Sequence, residues 1–168
     1  FCKLGMVMKV IDNFLNPEQF DKVKSILFDK DFEWYYEPHM VANDCHYFNH
    51  CFYSHNKPRT NYFYDVEFIL QQPDLKHRSL VRMTNNLVTA KDKPFESEWH
   101  TDYIYGDCTT AILYFNDCNG KTLFKTDKGI EEVNTKANRI VIFPSTTNHK
   151  MVSQTDVDRR ILMNINYF

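Results

Sequence analysis

The first third of the chain combines one apolar run with one amphipathic helix. Residues 7–15 predict a first strand, and Asn16-Pro17-Glu18-Gln19 supplies a helix cap, a proline at the first helical position and an amide three residues after the cap. The apolar residues that follow at helical spacing are Phe20, Val23, Ile26 and Leu27. We expect a helix of about three turns that packs on a sheet from outside.

The pattern beyond residue 32 is uneven. Residues 32–64 are crowded with aromatic side chains, which favours core and cover over a recognition surface. A helix is predicted over 62–71, stopped by Pro73. After Leu80, turn signals such as Asn119-Gly120 separate short strands. The predicted strands are 80–88, 97–103, 109–116, 121–126, 130–134, 138–143, 149–153 and 160–167.

This order of elements predicts a mainly β protein with supporting α-helices. About eight short strands preceded by a helix favour a double-stranded β-helix, or jelly roll, with an N-terminal helical layer. No internal repeat or linker interrupts the 168 residues, so we expect a single domain over 1–168.

Composition narrows the partners and the compartment. A formal net charge of -2 gives no basic field of the kind that non-specific nucleic-acid binding uses, so nucleic acid is disfavoured as a partner. The five cysteines form no CxxC pair, which favours free thiols in a reducing compartment. No apolar run reaches membrane-spanning length and no signal peptide is recognisable, so a cytoplasmic protein without membrane contact is expected.

The candidate chemistry begins at the segment EWHTDYIYGD, residues 98–107. In an extended segment His100 and Asp102 point to the same side, since side chains alternate with a period of two. A jelly roll can bring His149 to the same place. Two imidazoles and one carboxylate leave metal positions open, as in non-haem Fe(II) oxygenases. Arg160, at the start of the last strand, is the expected partner for a carboxylate co-substrate.

The ordered motifs carry a family resemblance. The chain resembles the Fe(II)/2-oxoglutarate-dependent dioxygenases, in particular the prolyl 4-hydroxylase-like branch and its small phage-encoded members. The match covers residues 80–168 in detail, with a looser likeness in VIDNFLNPEQF near the N-terminus. The matching segments are HTD (100–102), TAILYFN (110–116), NGKT (119–122), RIVIFPS (139–145), His149 and RILMNINYF (160–168).

The resemblance implies a role for each matched residue. His100, Asp102 and His149 would be the catalytic metal ligands. Arg160 would pair with the distal carboxylate of 2-oxoglutarate, and the hydroxyl of Tyr114 would add to it. Thr122 would form pocket wall with a hydrogen-bond donor.

Two choices concern the last strand. Asn164 lies on the same strand face as Arg160 and is expected to line the same pocket. Arg159 is the rival for the co-substrate role, but it points to the opposite side of the strand, so Arg160 is preferred.

The implied cofactors are Fe(II), 2-oxoglutarate as co-substrate and O2, with ascorbate as a further requirement that the resemblance allows. The implied reaction is hydroxylation of a C–H bond in a peptidyl residue such as proline, or in a small molecule. Many prolyl hydroxylases carry a tyrosine on the strand before the HxD motif, where this chain offers Thr84 or Asn86, which puts prolyl specificity in doubt. Residues 34–64 and 103–107 are the candidates for a substrate rim or lid. A phage-encoded member would act in the host cytoplasm.

Three alternatives are weighed against this interpretation. CHYFNHC, residues 45–51, holds zinc-ligand types, but adjacent pairs converge poorly on one tetrahedral centre. The same active site could serve an oxidative demethylase acting on nucleic acid, against which the near-neutral charge weighs. A non-catalytic, cupin-like metal-binding module is the third alternative. Succinate release that depends on Fe(II) and 2-oxoglutarate separates the enzymes from this module.

Overall fold

The computed structural model describes residues 8–39, 46–104 and 107–168. Within these residues the chain forms two α-helices, α1 (Pro17–Phe28) and α2 (Tyr62–Val66), and a 3-10 helix over Glu67–Gln71. The strands are β1 (Lys9–Ile11), β2 (Tyr35–Glu37), β3 (Tyr47–Ser54), β4 (Lys57–Pro58), β5 (Leu80–Thr89), β6 (Thr109–Tyr114), β7 (Lys121–Thr126), β8 (Gly129–Asn134), β9 (Ile140–Pro144), β10 (His149–Val152) and β11 (Arg159–Tyr167).

Two antiparallel sheets organise these strands. The larger sheet has the order β1-β9-β6-β11-β5-β3-β2, with β4 paired to β3, and the smaller sheet has the order β10-β7-β8. Sequence neighbours are separated in the larger sheet, because β11 lies between β5 and β6. This arrangement confirms the predicted jelly-roll core, in which strands from distant parts of the chain end near one another.

Apolar residues fill the space on both sides of the larger sheet. One cluster lies between the two sheets and includes Phe124 from the smaller sheet and Phe143 from the larger, whose rings pack edge to face. The other cluster joins the larger sheet to the helices. The face between the sheets also carries the polar residues of the candidate site, so the position of the site follows from this layering.

Helix α1 forms as the sequence predicts. The side chain of Asn16 accepts a hydrogen bond from the backbone N–H of Gln19, and the Gln19 side chain accepts one from the backbone of Asn16. The buried residues of the helix are Phe20, Val23 and Leu27. Phe20 stacks on Phe115 with ring centroids 5.8 Å apart, which holds the helix against the sheet. No helix in the described ranges is long and apolar enough to cross a membrane.

Most strands after Leu80 lie within two residues of the predicted bounds, but the strand predicted over 97–103 is wrong. This segment makes only isolated bridges, between Glu96 and Val152 and between His100 and His149. The backbone N–H groups of Asp102 and Tyr103 both donate to the single carbonyl oxygen of Ser145. Because one acceptor takes two successive donors, the chain bends there instead of continuing a ladder.

Other differences lie in the first half of the chain. The first strand is shorter than 7–15, because the chain leaves the sheet after Ile11 and Asn13 has a φ of 53°. The helix predicted over 62–71 is half α and half 3-10. Strand β3 was not predicted, since polar residues among its aromatic ones obscure any clear alternation.

Asn138 fastens the segment before α1 to the larger sheet. Its side-chain oxygen accepts a hydrogen bond of 2.9 Å from Leu15 N, and its amide nitrogen donates one of 2.8 Å to Leu15 O. Its backbone has a φ of 60°, in the left-handed region that asparagine tolerates better than most residues. The two side-chain hydrogen bonds and the left-handed backbone conformation therefore both favour asparagine at this position.

We expect Asn138→Ala to lower the free energy of unfolding by roughly 2–5 kcal/mol, because it leaves two buried backbone groups of Leu15 unpaired and strains the left-handed residue. Asn138→Gly should lower the free energy of unfolding by less, because glycine removes the hydrogen bonds but adopts the left-handed conformation without strain. Urea denaturation measures both variants, with Asn134→Ala at an exposed position of β8 as the control. A loss below about 1 kcal/mol in Asn138→Ala would contradict this role.

Candidate metal centre

His100 and His149 are joined through their backbones. His100 N donates to His149 O over 3.0 Å, and His149 N donates to His100 O over 2.9 Å. Strand β10 begins at His149 and pairs with β7, where His149 faces Phe124 in register. The two imidazole rings lie with their centroids 4.4 Å apart. Two residues that are distant in sequence thus become immediate neighbours.

The bend at Ser145 brings Asp102 to the same place. Its Oδ1 atom lies 3.6 Å from Nε2 of His149 and 3.9 Å from Nε2 of His100. One candidate ligand atom from each of the three residues lies within 4.8 Å of the others. The structure therefore brings together all three residues that the sequence proposes as metal ligands, and their donor atoms converge closely enough to hold one metal ion.

Backbone carbonyl groups orient both imidazoles. Nδ1 of His100 lies 3.0 Å from Glu98 O, and Nδ1 of His149 lies 3.0 Å from Thr147 O. A carbonyl oxygen can only accept, so Nδ1 carries the hydrogen in each neutral ring. Each Nε2 is left with a lone pair directed at the space beside Asp102. This is the tautomer that a metal ligand needs.

Two further side chains hold the carboxylate. Thr110 Oγ1 and Asn166 Nδ2 each donate a hydrogen bond of 2.9 Å to Asp102 Oδ2, and Asn166 Nδ2 also lies 2.9 Å from Thr110 Oγ1. Oδ1, the atom nearest the imidazoles, keeps its lone pairs for a ligand. Sequence reasoning missed both residues. Asn166 shares a strand face with Arg160 and Asn164, and that alternation was the available signal.

The triad is closed on one side and open on the other. The side chain of His149 is only 4% exposed and packs against Phe143, with ring centroids 5.0 Å apart, whereas the side chain of His100 is 26% exposed. Burial lowers the pKa of His149, and the nearby Asp102 carboxylate acts in the opposite direction. The neutral, metal-binding form of His149 is therefore favoured.

Arg160 is a buried cation without a carboxylate. It is fully buried, and its Nη2 donates to Thr122 Oγ1 over 3.2 Å while its Nη1 donates to Val152 O over 3.3 Å. Nε has no partner, and within the described part of the chain no carboxylate lies within 4 Å of the guanidinium. Burial lowers the pKa of Arg160, yet an arginine stays charged at neutral pH. A buried cation of this kind is stabilised by an anionic partner.

The remaining predicted residues lie around this arginine. Tyr114 is fully buried, its hydroxyl lies 2.8 Å from Thr122 Oγ1, and its ring centroid lies 5.3 Å from Arg160 Cζ. Asn164 lies further along β11, and its buried Oδ1 has no partner among the described residues. Arg159, the rival of Arg160, is exposed and lies over the ring of Phe28.

A cavity of about 370 Å³ lies beside the triad. The three triad residues, Thr122 and Asn164 line it, whereas Tyr114 and Arg160 lie behind Thr122. Sequence reasoning included Tyr47 only within the candidate rim 34–64, named Thr84 and Asn86 only as substitutes for a tyrosine, and did not anticipate Arg82. The described residues that line the cavity are Tyr47, Arg82, Thr84, Asn86, Val88, Ser97, His100, Thr101, Asp102, Ile112, Thr122, His149, Met151, Leu162 and Asn164.

Only part of the predicted rim and part of the alternative zinc set lie within the described ranges. Of the aromatic stretch 32–64, Phe32, Phe52 and Phe63 are buried in the core, whereas Tyr47 lines the cavity. Of the loop 103–107, Ile104 is 84% exposed, and residues 105–106 lie outside the described ranges. Cys45 of the zinc set also lies outside them. His50 of that set is buried with its Nδ1 2.7 Å from Glu33 O.

Solved structures share this fold. A 2OG-Fe(II) oxygenase family oxidoreductase from Burkholderia pseudomallei matches with a TM-score of 0.72 and 8% identity, covering 98% of this chain and 86% of that one. A prolyl hydroxylase from Trichoplax adhaerens, in complex with a peptide fragment of the hypoxia inducible factor oxygen degradation domain, matches with a TM-score of 0.65 and 13% identity. The match covers 96% of this chain and 83% of that one. The non-heme alpha ketoglutarate dependent epimerase SnoN from nogalamycin biosynthesis matches with a TM-score of 0.70 and 13% identity. The match covers 96% of this chain and 76% of that one.

No protein-family model matches the sequence, and no curated protein matches it either. At identities this low, the solved structures establish likeness of fold. They confirm at that level the resemblance to 2-oxoglutarate oxygenases and prolyl hydroxylases, whereas the likeness to small phage-encoded members stays a prediction.

We expect Asn166→Ala to weaken binding of Fe(II) by roughly 10-fold to 100-fold, because Asp102 Oδ2 loses one of its two donors and the carboxylate can rotate. Anaerobic calorimetric titration with Fe(II) measures the change. Asn164→Ala is the control, since Asn164 lies on the same face of β11 without a bond to Asp102. Equal losses in both variants would contradict a specific role for Asn166.

Proposed function

We propose that this protein is an Fe(II)- and 2-oxoglutarate-dependent dioxygenase that hydroxylates a C–H bond. The observation that carries the proposal is the pairing of two features within one fold: a convergent His100–Asp102–His149 triad and a buried, anion-seeking Arg160 beyond the cavity wall. Either feature alone is compatible with other chemistry. The fold that the chain shares with 2-oxoglutarate oxygenases supports the combination.

The donor set suits ferrous iron. Two neutral imidazole nitrogens and one carboxylate oxygen, with positions left open, form the ligand pattern of non-haem Fe(II) oxygenases. His100, Asp102 and His149 would hold the ion through Nε2, Oδ1 and Nε2 respectively. When bound, iron and 2-oxoglutarate together supply the activation of dioxygen that inserts one oxygen atom into a C–H bond. The protein provides binding, orientation and an enclosed space.

The surroundings of Arg160 suit the distal carboxylate of 2-oxoglutarate. The guanidinium is already desolvated and retains an unpartnered Nε, so an anion would gain a charge-assisted interaction without further burial of the cation. The hydroxyls of Thr122 and Tyr114, which bond each other, would add donors beside it. A change in the conformation of the Thr122 side chain would then connect the cavity to the guanidinium of Arg160.

The apolar residues around His149 have a separate task. Phe124 and Phe143 pack against its ring and shield it from water on the side facing the core. This leaves the side of His100 as the approach to the metal. We propose a peptidyl residue, including proline, or a small molecule as the substrate that enters there.

We expect His149→Ala to abolish succinate release that depends on Fe(II) and 2-oxoglutarate, because one of three metal ligands is lost. The measurement is succinate formation with and without each cofactor, and uncoupled turnover in the absence of substrate is sufficient. His39→Ala, at an exposed histidine, is the control. A wild-type protein that binds Fe(II) but never releases succinate would favour the non-catalytic module instead.

We expect Arg160→Ala to raise the 2-oxoglutarate concentration for half-maximal turnover by roughly 10-fold to 100-fold, because charge-assisted hydrogen bonds to the co-substrate are lost. Fe(II) affinity should change little, since Arg160 does not touch the triad. Arg159→Ala is the matched control. Normal turnover in the Arg160 variant, together with a loss in the Arg159 variant, would reverse the assignment of the two arginines.

A further inference from the structure

A second arginine, Arg82, lines the cavity with its side chain exposed to solvent, and it has no role in the proposed chemistry. Arg82 lies on β5 and belongs to the alternate residues of that strand that face the cavity. The others on that face are Thr84, Asn86 and Val88. This face of β5 therefore presents a cation, two polar side chains and one apolar side chain to a bound molecule.

Strand register places Arg82 beside the triad and far from Arg160. Arg82 pairs with Asn166 on β11, and the side chain of Asn166 donates to Asp102. Arg160 pairs with Val88, six residues further along β5. At roughly 3.3 Å per residue, the two arginine backbones are about 20 Å apart along the strands. The cations thus stand at opposite ends of the site, with Asp102 near the Arg82 end.

Arg82 also lacks a counter-charge. In the part of the chain that the structure describes, no carboxylate lies within 4 Å of its guanidinium. Among the described residues, the ionisable groups that line the cavity besides Arg82 are the three triad residues and Tyr47.

The charges of a loaded centre leave Arg82 unbalanced. A ferrous ion, a doubly charged 2-oxoglutarate, the Asp102 carboxylate and the Arg160 guanidinium together are electrically neutral. Arg82 is then the one formal charge that the cavity contributes in excess. A solvent-exposed cation on the cavity wall, near the triad, attracts an anionic ligand in preference to a neutral one.

From this placement we propose that Arg82 binds a carboxylate of the substrate and thereby holds the C–H bond to be oxidised beside the metal. The inference rests on the proposed function and specifies its substrate class as a carboxylate-bearing molecule. A guanidinium can grip a carboxylate through two parallel hydrogen bonds, which fixes orientation as well as position. The hydroxyl of Thr84 and the amide of Asn86 lie on the same face to bind polar groups further along the molecule.

The same carboxylate could come from two sources, a free amino acid or an acidic side chain within a peptide. Binding is measured by calorimetry under anaerobic conditions, on protein loaded with Fe(II) and 2-oxoglutarate. One set of probes is the free L-amino acids and their methyl esters. The other is end-blocked peptides that carry Asp or Glu, matched with the same peptides carrying Asn or Gln.

We expect acids to bind roughly 10-fold to 100-fold more tightly than their matched neutral forms in at least one set, because a charge-assisted interaction is lost in the neutral form. The set that shows this difference identifies the source of the carboxylate. Arg82→Gln should abolish the preference. Arg159→Gln, which removes an exposed arginine outside the cavity, should retain it.

Equal binding of acids and neutral forms would overturn the inference, as would a preference that survives in Arg82→Gln or the absence of binding by every acid. The proposed function is tested separately by uncoupled succinate release from the wild-type protein. If that release occurs while acids show no preference, only the role of Arg82 fails. If release never occurs, the proposed function itself fails.

Discussion

The pair of backbone hydrogen bonds between His100 and His149 is the constraint on which the candidate centre depends. The bonds align the first residue of β10, in the smaller sheet, with a segment around His100 that belongs to neither sheet. The adjacent carbonyl oxygen of Ser145 then bends the following residues, so that Asp102 turns inward. Because the His100–His149 bridge is isolated, His100 and Asp102 are placed without a ladder of regular strand pairing. The three side chains converge within 4.8 Å as a consequence.

A second constraint is electrostatic. A fully buried arginine without a carboxylate partner among the described residues reduces the stability of the fold, since desolvation of an ion costs several kcal/mol. The fold makes room for it at Gly120, where an added Cβ would lie 3.3 Å from Arg160 Cδ and 3.2 Å from Val152 O. Backbone carbonyls and Thr122 satisfy part of the guanidinium. The unsatisfied remainder gives the site its attraction for an anion.

Local signals in the sequence predict much of the fold. The features that the sequence did not predict depend on long-range contacts. The cap of α1 and the strands after Leu80 rest on patterns within a few residues. The grouping of His100, Asp102, His149 and Arg160 rests on the order of motifs spread over residues 100–160 and on the family resemblance that this order carries. The strand predicted over 97–103 failed because the isolated pairing of that segment depends on Ser145, which is remote in sequence. Thr110, Asn166 and Arg82 were missed because their importance depends on the strand order, and no local pattern marks it.

The fold by itself does not decide what such a site does. Structures of similar topology include a prolyl hydroxylase and an epimerase, so the backbone framework is compatible with different outcomes. In the proposed function the triad and Arg160 would bind the metal and the co-substrate, which different substrates can share. The cavity face of β5 is different, because within the described ranges Arg82, Thr84 and Asn86 make no hydrogen bond to the triad or to Arg160. Since these side chains border the cavity beside the triad, they are the residues that would determine which C–H bond of a substrate is presented to the proposed metal.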